Sequence, residues 1–219
     1  MKKLFILSRY KESYDWIYEY TDDYLVYNKG LPLIDHRVKN IENIGGNQRD
    51  IFHFIHVYYE NLPDIMIFIQ AYPFDHCKKE VFDQLIQNEK FTPLEYYGMI
   101  PANAWEGRTI DGGYMEINNS WYISASNNTH NQTCRYGSYD EFMDRYFENY
   151  VHLDWLRFSP GSQYIITKEQ GLQYPKNFWE SMMHELDVGR LPTEGHIIER
   201  ALYYILTGQY KLRKDYYGK

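Results

Sequence analysis

The chain has 219 residues, a formal net charge of −7 and two cysteines, Cys77 and Cys134. That length can bury a full core without staples. The acidic balance argues against a general nucleic-acid binder, and two cysteines give no disulfide framework.

Aromatic residues reach 18 %, dominated by 24 tyrosines. Two accounts compete. A tyrosine ring stacks on sugar C–H groups while its hydroxyl bonds sugar hydroxyls; an A+T-rich genome inflates Tyr, Asn, Ile and Lys together. An acidic protein that handles a phosphorylated substrate needs a local basic pocket or a divalent metal.

The opening MKKLFILSRY has two lysines and then an apolar run too short for a signal peptide or a membrane span. It reads as the first buried strand of a cytosolic protein, residues 3–7, with Ser8, Arg9 and Tyr10 at its exit. A short helix is expected over 14–20. YLVY, residues 24–27, is a second strand closed by the turn Asn28-Lys29-Gly30. Gly45-Gly46 opens a helix over about 47–59, in which Ile51, Phe54, Ile55 and Tyr58 fall at i, i+3, i+4, i+7 and form one apolar stripe. His53 and His56 sit three apart on this helix, a spacing that suits a metal and also an ordinary helix surface.

Leu62-Pro63-Asp64 ends that helix. IMIFI, residues 65–69, is unbroken, short and apolar, as in a strand covered on both faces. It stops abruptly in Gln70, Asp75 and His76. Ligands of open α/β sheets sit at the carboxyl ends of strands, so these three residues are site candidates as well as simple terminators. A helix follows over 79–89.

Residues 91–136 read as irregular. They hold Gly98, Pro101, Trp105, Gly107, Asp111-Gly112-Gly113 and an Asn/Ser/Thr-rich stretch, with strand-like pieces only at 114–117 and 121–124. Long irregular segments inside a domain tend to be functional. Trp105 and Trp121 can stack on a glycan or anchor the loop, and Asp111-Gly112-Gly113 is a close-approach loop or a plain turn. Sequons start at Asn118, Asn127 and Asn131; without a secretory signal they read as chance in an Asn-rich chain.

Ser138 with Glu141 forms a capping box that starts a helix to about residue 150. QYIIT, residues 163–167, is a late strand. Pro175 fits the first turn of a helix to residue 186, and the last helix runs over about 193–206 and ends at Gly208. His196 and Glu199 share a face of it. No repeat or linker is visible, so residues 1–219 are expected to form one α/β domain.

Several segments together, ILSRYKESYDWI, YLVYNKG, NIGGNQRDIFHFI, LPDIMIFIQAYPFDH, SPGSQYIITKE and LPTEGHIIERALYYILTG, resemble a domain-of-unknown-function family. Its pattern is a strand ending in S/A-R-Y, then Y-N-K-G, N-x-G-R-E, F-L-Q-G-x-P-x-D-H and a C-terminal E-R helix. That family is similar in turn to small GT-A glycosyltransferases, including those encoded by large algal DNA viruses. The resemblance leaves about 91–150 uncovered.

It implies a GT-A-like mixed central sheet flanked by helices. A nucleotide-sugar would be held by Ser8, Arg9, Tyr10, Asn28, Lys29, Asn43, Gly45, Arg49 and Gln70. Mn²⁺ or Mg²⁺ would sit on the leaving diphosphate, where it acts as a Lewis acid. The chain departs from the pattern twice. Gln70-Ala71-Tyr72 stands where D-x-D would follow the central strand, which shifts the implied metal ligands to Asp75 and His76. Gly46-Asn47 replaces Arg-Glu after N-x-G, with Arg49 as the nearest substitute charge. Glu199 matches the E-R helix and reads either as a base or acceptor-positioning carboxylate, or as half of an internal ion pair.

The expectation is a soluble, cytoplasmic glycosyltransferase that moves a sugar from a UDP-sugar donor to a glycan acceptor, with Asp75, His76 and Glu199 at the chemistry. A glycan-binding module on a degenerate scaffold and a metal-dependent sugar phosphoesterase are the rivals.

Overall fold

The computed structural model describes residues 1–95, 106–109, 113–119 and 134–215. Trp105, Asp111, Gly112, the strand expected at 121–124 and the sequons at Asn127 and Asn131 lie outside the described residues.

The apolar runs become the centre of a six-stranded mixed sheet. β1 (Lys3–Arg9) pairs in parallel with β2 (Tyr24–Asn28) on one side and with β4 (Ile65–Gln70) on the other, and β3 (Val38–Asn40) extends the parallel set beyond β2. β10 (Tyr164–Thr167) runs antiparallel beside β4, with β5 (Thr92–Pro93) at its far edge, so the order is β3-β2-β1-β4-β10-β5.

β4 is apolar from Ile65 to Ile69 because both faces are covered there. Ile65, Ile67 and Ile69 point into one core with Phe5, Leu7, Val26, Ile17 and Phe82; Met66 and Phe68 point into the other. Fully burying each such side chain contributes about 1.5–3 kcal/mol. The first core is closed by the 3-10 turn at Asp15–Glu19 and by α2 (Lys79–Leu85). The second is roofed by α1 (Gly46–Val57), α5 (Lys176–Leu186) and α6 (Glu194–Leu206), with α3 (Tyr139–Tyr146) and the short α4 (Lys168–Leu172) at its rim. Three residues of the α1 stripe, Ile51, Phe54 and Ile55, are buried, while Tyr58 falls at the C-cap just past the helix and is only partly buried.

Element boundaries differ from expectation where local chemistry intervenes. α2 stops at Leu85, not 89. α3 stops at Tyr146 because Phe147 turns extended and β8 (Phe147–Glu148) pairs with β11 (Lys211–Leu212). Ser138 caps α3 by accepting the Glu141 amide, but the Glu141 carboxylate accepts the Gly137 amide, so only half of the expected box forms. A second sheet, β6 (Glu106–Arg108), β7 (Tyr114–Ile117) and β9 (Trp155–Arg157), stands beside α6.

Among the described residues, eight of the chain's 24 tyrosines are core residues. Tyr24, Tyr27, Tyr136, Tyr139, Tyr146, Tyr164, Tyr174 and Tyr204 are all buried. Among the described residues no helix is long and apolar enough to cross a membrane. The fold is a single α/β domain with a mixed central sheet and flanking helices.

Candidate functional site

From β1 the chain steps outward to β2 on one side and, through α1, to β4 on the other. The carboxyl ends of β1 and β4 therefore flank a topological switch point, where open α/β sheets form their ligand crevices. A cleft of about 920 Å³ opens there, within the range of small-molecule sites. Its floor is the exit of β1, β2 and β4; its walls are the N-terminal turn of α1, the turn before β10 and the N-terminal half of α6.

The floor rests on a buried polar cluster. Ser8, level with Gln70 across the β1–β4 ladder, donates its hydroxyl to Asp50 Oδ2 at 2.6 Å. The Lys29 ammonium lies 2.9 Å from the same oxygen and also donates to the Gly46 carbonyl. Burial raises the Asp50 pKa, and Lys29 and Ser8 oppose that rise. Lys29 thus ties the end of β2 to the start of α1. Arg9 bonds the Asn28 side-chain oxygen at 2.6 Å and the Glu12 carbonyl at 2.9 Å, which shapes the β1 exit. The turn after β2 must be Gly30: a Cβ there would lie 1.8 Å from the Tyr10 carbonyl oxygen.

Asp75 and His76 sit on the 3-10 turn that follows β4, with Nε2 of His76 3.9 Å from Oδ2 of Asp75. His76 packs on Gly161, where a Cβ would stand 2.6 Å from its ring and 3.0 Å from the Gln70 amide nitrogen; Gly161 also has φ +74°, which a side chain would strain. The Glu199 carboxylate accepts the Gly161 amide at 2.9 Å. Burial raises the Glu199 pKa, opposed by Arg200, the Gly161 amide and His76. Asp75, His76, Gln70 and Glu199 therefore share one wall of the cleft.

α1 starts at Gly45 in the left-handed region, with no side-chain cap and no acidic residue in its first turn. Gly46, Asn47 and Gln48 line the cleft wall, and the first-turn amides of a helix have no intrahelical acceptor.

Of the residues expected at the site, Ser8, Arg9, Tyr10, Lys29, Asn43, Gly45, Gln70, Asp75, His76 and Glu199 line the cleft. Asn28 and Arg49 do not. Asn28 is fully buried and bonds Arg9, Leu31 and Asn40; Arg49 holds Asp187 at 2.6 Å. His53 faces the Tyr27 hydroxyl and His56 the Lys176 carbonyl, so they have separate partners. Among the described residues no group of three or more His, Cys, Asp or Glu side chains gathers as a metal-ligand set.

Tyr72, Pro160, Gly161, Arg190, Leu191 and Pro192 also line the cleft without having been singled out. Pro160, Gly161, Leu191 and Pro192 lie in segments that carry the family resemblance, but their local signals are turn signals: S-P-G-S before β10 and the glycine and proline around Arg190.

A family model described as "Protein of unknown function (DUF3431)" matches residues 4–217. No curated protein and no solved structure matches the chain. With the match covering nearly its whole length, the chain belongs to the DUF3431 family.

Proposed function

We propose that the protein is a GT-A-like glycosyltransferase that binds a nucleotide-sugar, with UDP favoured, in the cleft at the β1–β4 switch point. The supporting observation is the position of that cleft: it lies at the carboxyl ends of parallel strands, with the uncapped N-terminus of α1 in its wall. Helix N-termini favour phosphate groups. In this reading Ser8 and Tyr10 meet the nucleoside, and the diphosphate faces the first turn of α1.

Asp75 and His76 suit a divalent ion in part. Their 3.9 Å separation allows one ion to reach both, since ligand distances are about 2.0–2.2 Å. Two protein ligands suffice when substrate phosphates supply the others, and an imidazole beside a carboxylate favours Mn²⁺ over Mg²⁺. When bound, the ion supplies Lewis-acid stabilisation of the leaving diphosphate.

Glu199 is the base of this reading. Its raised pKa brings it closer to neutral pH, where a general base works best, and it faces the same wall as Asp75 and His76. It would accept the proton of the glycan hydroxyl. The Gly161 amide holds its carboxylate in place.

The test is a thermal-shift panel of UDP, GDP and CMP with and without Mn²⁺, because a ligand that binds only the folded state raises its apparent stability. Metal-dependent stabilisation by UDP is the expected result. Stabilisation by glycans alone would make the protein a binding module instead.

A further inference from the structure

Three lysine or arginine side chains line the cleft: Arg9, Lys29 and Arg190. Two are committed within the protein. Lys29 is nearly buried and paired with Asp50 at 2.9 Å. Arg9 bonds Asn28 and backbone carbonyls of the β1 exit. Arg190 is different. It is exposed, makes no ion pair among the described residues, and places its guanidinium carbon 4.7 Å from the centre of the Tyr10 ring. The Lys11 ammonium lies 4.9 Å from that same centre, so two like charges share one ring.

The backbone beside Arg190 is held by contacts that its side chain does not share. The preceding residue, Gly189, has φ 152°, a region that favours glycine, and its carbonyl accepts the Gly45 amide at 2.9 Å. Asp187 is held to α1 by Arg49. The backbone is therefore pinned beside the start of α1, and the guanidinium can swing without moving the segment.

We infer that Arg190 is the phosphate-binding side chain of this cleft. It rests on the Tyr10 ring in the free protein and turns onto the ligand's diphosphate on binding. The ligand's identity rests on the nucleotide-sugar reading above; the role of the residue rests on its being uncommitted. Energetics favour the move. An exposed cation–π contact changes populations only a few-fold, whereas a bidentate guanidinium–phosphate pair is among the strongest polar contacts.

The experiment is calorimetry on the full chain with UDP, uridine and inorganic pyrophosphate, in Mn²⁺ and in EDTA. Arg190→Gln should weaken UDP and pyrophosphate by about 10- to 100-fold and leave uridine within about twofold. Arg190→Lys should fall between, because it keeps the charge and loses the fork. Equal losses for UDP and uridine would overturn the inference, since a merely structural residue acts on both.

If Arg190→Gln binds UDP as the wild type does, the inference fails and the nucleotide reading stands. If the wild type binds pyrophosphate but no nucleotide, and the variant loses it, the residue's role stands and the nucleotide reading fails. If the wild type binds none of these ligands, both fail.

Discussion

Glu199 Oε1 lies 2.9 Å from the amide nitrogen of Gly161, while its other oxygen is 3.7 Å from Arg200. The firm partner of Arg200 is Glu116, at 2.7 Å. The ion pair that anchors α6 and the carboxylate that faces the cleft are thus adjacent residues with separate tasks. Glu199→Gln retains an oxygen for Gly161, so Tm should move by no more than a few degrees, the scale of about 1 kcal/mol in a domain this size. Turnover should fall by ~10²-fold or more, the scale of losing a general base. A large Tm loss with normal turnover per folded molecule would assign Glu199 to structure.

The pH dependence of Glu199 has a definite sign. Its folded-state pKa is raised by burial, so the folded protein holds this proton more tightly than the unfolded chain. The stability it contributes is full below the ordinary carboxylate value and is lost as pH rises through the raised one. Activity runs the other way, because a base must be ionised: the acid limb of kcat should lie above the usual carboxylate range. Denaturant titrations of wild type and Glu199→Gln should show the wild type gaining stability relative to the variant as pH falls from 8 to 4; a difference that stays constant across that range would show that Glu199 does not titrate there.

Glu116→Gln should behave as the structural counterpart. Its side chain and that of Arg200 are 5 % and 10 % exposed. Removing one member of a buried pair costs about 3–5 kcal/mol, with the low end expected because Glu199 remains nearby. Urea unfolding reads the loss, and nucleotide affinity per folded molecule should stay near wild type.

Asp75→Asn should leave stability unchanged, since its side chain is 55 % exposed, and should abolish the gain in UDP affinity that Mn²⁺ confers. Calorimetry with Mn²⁺ and with EDTA checks this. Unchanged Mn²⁺-dependent affinity in the variant, or a wild-type affinity for UDP that EDTA does not alter, would remove the metal from Asp75.

Gly30→Ala places a methyl 1.8 Å from the Tyr10 carbonyl oxygen, so the β1 exit must shift. The expected cost is about 1–3 kcal/mol, read as a lower Tm, together with weaker nucleotide binding because Tyr10 lines the cleft.

The central fold was legible for a physical reason. IMIFI is apolar at five successive positions because helices or turns cover both sheet faces, and no partly solvated strand would carry that pattern. β3, β5, β6, β8, β9 and β11 were not legible, being two or three residues long with no room for a period. Cleft-lining residues at strand ends, Ser8 and Gln70 above all, could be read from where apolar runs stop. Gly161 and Arg190 could not. They reach the cleft from turns far along the chain, and only tertiary packing brings them beside β1 and β4.

The antiparallel place of β10 beside β4 sets a delay during synthesis. β4 ends at Gln70 and β10 begins at Tyr164. At about 5–20 residues per second, the most apolar strand of the nascent chain waits roughly 5–20 s for the partner that covers its outer edge. An uncovered apolar edge is a template for pairing with other chains. The strand whose end forms the floor of the cleft is therefore the one left longest open to mispairing while the chain is made.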